Sequence, residues 1–249
     1  MYNQFANVYD YFNGDADYDA LFSAVHGALQ AHGIADGIVA DLGCGTGELT
    51  LRLAAAGYDM IGVDLSPEML SVLRDKAQQA ADAGDAGAKR LLLLNQDLTA
   101  LDLYGTVRAA VSTFDTLNHI GPYERFAAAV ARAALFIEPG GLFLFDMNTP
   151  YKHRTVLADN TFTLEALDGR CVWRNAYCEA DARTDISIEV SDAHGVLFDE
   201  QFCEYSYTRA QIGQACADAG LAVLDVCDGE HFSPLTDTSE RFFITARRR

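Results

Sequence analysis

The stretch Val39-Ala40-Asp41-Leu42-Gly43-Cys44-Gly45-Thr46-Gly47 joins an apolar run, Ile38–Leu42, to a loop in which every second residue is glycine. Leu49, Leu51 and Leu53 then read as a helix reaching Gly57. A strand therefore feeds a tight loop that opens a helix. Glycines let such a loop turn sharply and approach a ligand without a Cβ in the way. In open α/β sheets, ligands sit at the carboxyl ends of the strands. A dinucleotide fingerprint, G-x-G-x-x-G, would place its third glycine at Glu48, where a carboxylate at a helix N-terminus repels a pyrophosphate. The actual spacing is G-x-G-x-G with Asp41 two residues ahead, which suits a ligand with an amino-acid tail and no phosphate.

Outward from this loop the alternation continues. A second apolar run, 60–63, ends at Asp64, and Ser66 with Pro67 is a good helix start, predicting a helix to about Ala83. Further strands are predicted at 91–94, 109–114 and 142–146, with a loop at 83–89, a helix over 123–136 and a turn at Pro139-Gly140-Gly141. Upstream, Leu21, Phe22, Val25 and Leu29 share one face of a helix over 18–32. Continuous apolar strands alternating with helices predict a doubly wound α/β fold with a parallel sheet covered on both faces.

The rhythm breaks after 150. Runs at 162–164, 171–177, 186–190 and 202–207 look like strands with no helix between them, which predicts a small antiparallel β insertion. A helix near 208–219 and strands at 222–226 and 242–246 resume the α/β pattern. The expected organisation is an N-terminal lid and helix over 1–36, an α/β core over 37–150 and 207–249, and an insertion over 151–206 covering an acceptor site.

The strand ends carry the binding chemistry. Asp64 can accept both hydroxyl hydrogens of a ribose, and Asp97, in Asn95-Gln96-Asp97-Leu98, can accept from an adenine amino group. Glycine loop, aspartate and aspartate at three successive strand ends point together to a nucleoside ligand.

Composition narrows the partners. The chain has 249 residues, half of them hydrophobic, which is enough for one large core. Its formal charge of −18 repels phosphate backbones, so nucleic acid is a disfavoured partner. Arg247, Arg248 and Arg249 form the one basic cluster and read as a solvated tail. The six cysteines form no C-x-x-C pair and no Cys/His set at zinc spacing, so no metal site is expected, and reduced thiols fit a cytoplasmic chain. MYNQFANVYD lacks the basic start and apolar run of a signal peptide, and no run reaches the roughly 18 apolar residues of a membrane helix. A soluble monomer or homodimer with no membrane partner is expected.

DLGCGTG at 41–47, GVDLSPEML at 62–70, NQDL at 95–98, TFDTLNHI at 113–120 and IEPGGLFLFD at 137–146 resemble the class I S-adenosylmethionine-dependent methyltransferases. The likeness runs over essentially the whole chain. MYNQFANVYDYF and DMNTPYK look like a subgroup of small bacterial members related to the sugar N-methyltransferases and the glycine and sarcosine N-methyltransferases. The resemblance implies a Rossmann-like sheet of seven strands with the last antiparallel, and S-adenosylmethionine as cofactor. It also implies cofactor contacts. Asp41, Gly43, Cys44, Gly45 and Gly47 would lie at the methionine portion, and Asp64 and Leu65 at the ribose. Asp97 and Leu98 would flank the adenine, with Met69 near it or in the core just below, Phe114 and Asp115 near the methionyl end, and Tyr9 in a lid, with Tyr2 and Tyr18 as weaker lid candidates.

Methyl transfer needs an aligned nucleophile, excluded water and, for an acceptor that holds a proton, a base. His119, just past the fourth predicted strand, is the best base candidate, since an unperturbed imidazole exchanges protons near neutrality. The corresponding place holds a histidine in the sugar N-methyltransferases. A loop histidine bonded to a backbone carbonyl is the competing role. Trp173, Tyr177, Tyr205 and Tyr207 could wall an acceptor pocket, though burial in the insertion serves them equally well; Tyr151, Lys152 and Arg154 could meet an anionic acceptor group. The favoured expectation is transfer to N or O of a small molecule. RNA or protein methylation and a non-catalytic cofactor-binding module remain as alternatives. Two nucleic-acid chemistries are excluded, since no N/D-P-P-Y/F element follows the fourth strand and no proline precedes a cysteine.

Overall fold

The computed structural model describes residues 16–166, 169–192 and 194–249. Helix α1 (Tyr18–Ala31) starts where the Asp17 carboxylate accepts the Ala20 N–H at 2.8 Å. It buries Leu21, Val25 and Leu29. Strand β1 (Ile38–Leu42), helix α2 (Glu48–Ala55), strand β2 (Asp59–Asp64) and helix α3 (Pro67–Asp82) follow. Helix α3 is capped as its sequence predicts, with the Met69 N–H donating to Ser66 Oγ and Pro67 in the first turn. Strand β3 (Leu92–Asn95), strand β4 (Val107–Ser112), helix α4 (Tyr123–Phe136) and strand β5 (Ile137–Asn148) complete the first half.

Helix α5 (Arg209–Asp218), strand β10 (Leu221–Asp228) and strand β11 (Arg241–Arg248) close the core. The seven strands lie in the order β3-β2-β1-β4-β5-β11-β10, with β11 antiparallel to both its neighbours. The chain winds outward from β1 to β3 and then returns to β4 on the other side of β1. The loops after β1 and β4 therefore diverge, and the crevice between them is the expected ligand position. Helices α1 and α2 bury Val25, Leu29 and Leu53 with Val111 and Leu144 on one face. Phe126, Val130 and Ile212 of α4 and α5 pack with Phe143 and Phe145 on the other.

A separate four-stranded antiparallel sheet holds β6 (Thr161–Ala166), β7 (Gly169–Cys178), β8 (Arg183–Asp192) and β9 (Gly195–Tyr205) in sequential order. Its small core is Cys171, Ile186, Ile188, Val190 and Phe198, with Trp173 and Phe202 against it. A π-helical turn over Lys152–Leu157 leads into it from β5, an element that apolar periodicity does not reveal.

Several boundaries differ from the sequence expectation, β9 starting as early as Gly195, and three differences have a visible cause. Strand β4 stops at Ser112 because Phe114 and Asp115 both take left-handed backbone, each with φ of 54°. Strand β5 begins at Ile137, not after Gly141. Ile137 pairs with Val107 and Leu142 with Ala109, so Pro139-Gly140-Gly141 is absorbed as a bulge inside the ladder. Strand β9 ends at Tyr205, and Tyr207 instead stacks on Phe126 in the main core, with ring centroids 4.6 Å apart.

Candidate active site

A cleft of about 250 Å³ opens over the carboxyl ends of β1, β2, β3 and β4. Gly43 and Gly45 form its floor. Gly43 has a φ of 81° and a Cβ there would drive into Thr116; Gly47 has a φ of 85° and a Cβ there would drive into Leu73. The loop is pinned from below, since the Gly43 and Cys44 N–H groups both donate to the Val63 carbonyl, at 2.7 and 3.0 Å.

Asp64 borders the cleft at the end of β2. Its Oδ2 accepts the Gly45 N–H at 2.9 Å and its Oδ1 accepts the Ser66 N–H at 2.8 Å. Each oxygen has lone-pair capacity left for a ribose hydroxyl. Burial raises its carboxyl despite these bonds. Leu65, Met69, Asp97 and Leu98 line the same cleft. Asp97 Oδ1 is occupied by the Thr99 N–H and hydroxyl, both at 2.8 Å, while Oδ2 accepts from Arg125 Nη2 at 3.2 Å. Burial raises this carboxyl, but the Thr99 bonds and the Arg125 charge outweigh it, so its pKa falls below the ordinary value. Arg125 also lines the cleft and was not foreseen.

Beneath the loop a smaller recess is lined by Tyr18, Asp41, Gly43, Cys44, Gly47 and Phe114, among others. Asp41 is buried, and its Oδ2 accepts the Thr50 hydroxyl at 2.5 Å. Among the described residues no cation pairs with it. Burial pushes its carboxyl up to about 7, with the Thr50 bond working against that and the Asp64 charge adding to it. A buried carboxylate without a cation at the methionine end fits a ligand that brings its own ammonium group. Two carboxylate oxygens at the end of β2 fit a ribose. The residues present thus suit S-adenosylmethionine. Tyr18 packs on Phe114 with ring centroids 4.9 Å apart, closing one side of the recess. Tyr9 and Tyr2 lie outside the described residues.

His119 ends a short 3-10 turn, Thr116–His119, and lines the main cleft. Behind it stands a charged cluster. His119 Nε2 is 3.8 Å from Asp115 Oδ2 and 4.0 Å from Glu204 Oε1. Asp115, expected as a cofactor contact, does not line the cleft. Its carboxylate turns the other way, and its Oδ1 accepts from Arg241 Nη1 at 3.2 Å. Burial raises the Asp115 carboxyl, but Arg241, His119 and Lys152 outweigh it and keep it ionised below the ordinary range. Burial and the Asp115 charge push Glu204 upward.

Glu204 comes from β9, so the antiparallel sheet contributes directly to the cluster. Asn148 Nδ2 donates to Glu204 Oε2 at 3.0 Å, and Asn118 bonds both the Asn148 N–H, at 2.9 Å, and the Tyr205 carbonyl, at 2.8 Å. These side chains bind the β4 turn, the end of β5 and the end of β9 into one corner. His153 is fully buried beside it, with Nδ1 2.7 Å from Thr184 Oγ1 and Nε2 3.7 Å from Glu204 Oε2. Burial lowers its pKa to about 4, so the ring is neutral.

Besides Arg125, sequence reasoning missed Glu204, His153, Asp146 and Arg241. One signal was available for Glu204. It shares the strand face of Phe198 and Phe202, where period-2 alternation turns side chains inward and a carboxylate is out of place.

A doubly wound sheet, a glycine loop without a phosphate fingerprint, and carboxylates suited to an ammonium group and a ribose define an S-adenosylmethionine-dependent enzyme. A methyltransferase domain model matches residues 39–141. The Bacillus subtilis protein named "Putative methyltransferase YqeM" is 30% identical over 257 residues, covering 100% of this chain and 97% of its own. The structure of an S-adenosylmethionine-dependent methyltransferase from Clostridium acetobutylicum superposes with a TM-score of 0.87 at 26% identity, over 99% of this chain and 98% of that one. A Streptomyces venezuelae protein named as a dTDP-3-amino-3,4,6-trideoxy-alpha-D-glucopyranose N,N-dimethyltransferase is 27% identical, over 88% of this chain and 90% of its own. The chain belongs to the class I S-adenosylmethionine-dependent methyltransferases, and its cofactor is S-adenosylmethionine. No helix among the described residues is long and apolar enough to cross a membrane.

Proposed function

We propose that the enzyme methylates the nitrogen of a small, cationic amine. The observation that carries this reading is the cluster of Asp115, His119 and Glu204, one donor atom of each lying within 4.8 Å of the others, with His119 alone reaching the wall of the cofactor cleft. Two carboxylates and an imidazole attract an ammonium group. Arg241 already neutralises the far oxygen of Asp115, which disfavours a doubly charged ion in the cluster.

The cofactor, when bound, supplies an electrophilic methyl group for in-line displacement. The protein must then orient the amine, exclude water and remove a proton, because an ammonium nitrogen has no lone pair with which to attack. Asp115 and Glu204 hold the ammonium group. His119 Nε2 would accept its proton, which leaves the nitrogen the lone pair it needs to displace the neutral thioether from the methyl carbon, and the two carboxylates would stabilise the resulting imidazolium. The name of the Streptomyces relative supports an amino-group acceptor. The net charge of −18 supports a cationic acceptor over a polyanion such as RNA.

The test is S-adenosylhomocysteine formation with matched acceptors that differ in one group, such as benzylamine against benzyl alcohol and glucosamine against glucose. Turnover of amines alone is expected, with His119→Asn lowering kcat/KM by about 10²-fold or more. Turnover of the alcohols with the amines silent would overturn the amine assignment.

A further inference from the structure

We infer that Arg241 and Asp146 are positioning residues that shape the β4 turn and, through it, both the cofactor wall and the acceptor wall of the active site. The turn is the most unusual piece of backbone near the site, with left-handed φ at two successive residues, Phe114 and Asp115, neither of them glycine. Such backbone persists only where surrounding contacts over-determine it. Here the contact is one buried carboxylate. Asp146 Oδ2 accepts the Phe114 N–H at 2.9 Å and its Oδ1 accepts the Asp115 N–H at 2.8 Å. Arg241, at the first position of β11, donates from Nη1 to Asp146 Oδ1 at 3.0 Å and to Asp115 Oδ1 at 3.2 Å. Its Nε donates to Glu230 Oε1 at 3.0 Å, which anchors the guanidinium from the β10–β11 connection.

The arrangement has a division of labour. Phe114 faces the cofactor cleft and the recess beneath the glycine loop. Asp115 faces the acceptor cluster, and because Arg241 occupies Oδ1, the other oxygen is the one directed at His119. Buried Asp146 and half-buried Asp115 are neighbouring carboxylates, and without the cation between them one would take up a proton or swing away. Asp146 then loses its grip on the two N–H groups, and both walls shift together. The acceptor half of this inference rests on the amine reading; the cofactor half stands without it.

The experiment uses S-adenosylhomocysteine as probe, with calorimetry and amide NMR on the wild type, Arg241→Met, Arg241→Lys and Asp146→Asn. Arg241→Met and Asp146→Asn are expected to weaken binding by about tenfold, the scale of a lost charge-assisted hydrogen bond. Arg241→Lys, which keeps a cation in place, should return affinity to within about threefold of wild type. In Arg241→Met the Phe114 and Asp115 amide resonances should titrate at higher pH than in the wild type, because burial already raises the Asp146 carboxyl and Arg241 is the charge that holds it down. A role in stability alone would lower the melting temperature and leave affinity and amide titration unchanged in all three variants, and that result overturns the inference. If Arg241→Met does not fold, Asp146→Asn decides by the same affinity measurement and by loss of the downfield Phe114 or Asp115 amide shift. Wild type that fails to bind the probe contradicts the cofactor site instead.

Discussion

Replacing Asp41 by Asn should separate stability from binding, and the size of both effects follows from burial. The Asp41 carboxyl ionises near 3.8 when solvated and about 7 in the fold. A folded pKa raised above the unfolded value favours the fold below the lower value. That stability is lost as pH rises through the interval and is gone above the higher one. About three pH units at ~1.36 kcal/mol each make the ionised form cost on the order of 4 kcal/mol in the free enzyme at pH 8. Asp41→Asn keeps an oxygen for the Thr50 hydroxyl and removes the charge. It should therefore raise the stability of the free enzyme at pH 8 and flatten its decline between pH 4 and 7. Cofactor binding should instead lower the Asp41 pKa, since an ammonium group beside it favours the charged form. A carboxyl that is half protonated at pH 7 should then release about half a proton when S-adenosylhomocysteine binds, and about a tenth at pH 8. Calorimetric titration in two buffers of different ionisation enthalpy measures this number directly. Binding heats independent of the buffer at pH 7, or the same proton release from Asp41→Asn, would refute the placement of the ammonium group.

Other outcomes follow from neighbouring contacts. Asp64→Ala should weaken S-adenosylhomocysteine binding by about 1.5–3 kcal/mol, the value of a hydrogen bond to a charged group, in a calorimetric titration where NAD shows no binding at all. Glu204→Gln should raise the KM for an amine acceptor by about tenfold while leaving S-adenosylhomocysteine affinity within about twofold, since Glu204 belongs to the acceptor cluster and not to the cofactor cleft. Extended treatment with a chelator should leave initial rates unchanged if Asp115, His119 and Glu204 hold an ammonium group; loss of activity restored by a divalent metal would reassign the cluster.

The cofactor half of the site was legible because its chemistry is local. Strand, glycine loop and helix cap between Ile38 and Ser66 each depend on residues a few positions apart, and Asp64 sits where a strand must end. The proposed acceptor half is assembled by tertiary contacts. Asp115, Glu204 and Arg241 come from the β4 turn, β9 and β11, so no window of sequence contains two of them. The same distance explains the misplaced end of β4. Its apolar run continues to Phe114, but Asp146, brought alongside by the parallel pairing of β4 with β5, captures the backbone N–H groups first. The site's carboxylates then divide into two kinds that no periodicity distinguishes. Half-buried Asp115 has a permanent cation in Arg241 and stays ionised, while buried Asp41 has none among the described residues and is pushed toward neutrality. An ion pair already complete within the protein gains little from a ligand. A buried carboxylate left without a cation gains most, so Asp41 is where the fold gives up stability in exchange for affinity.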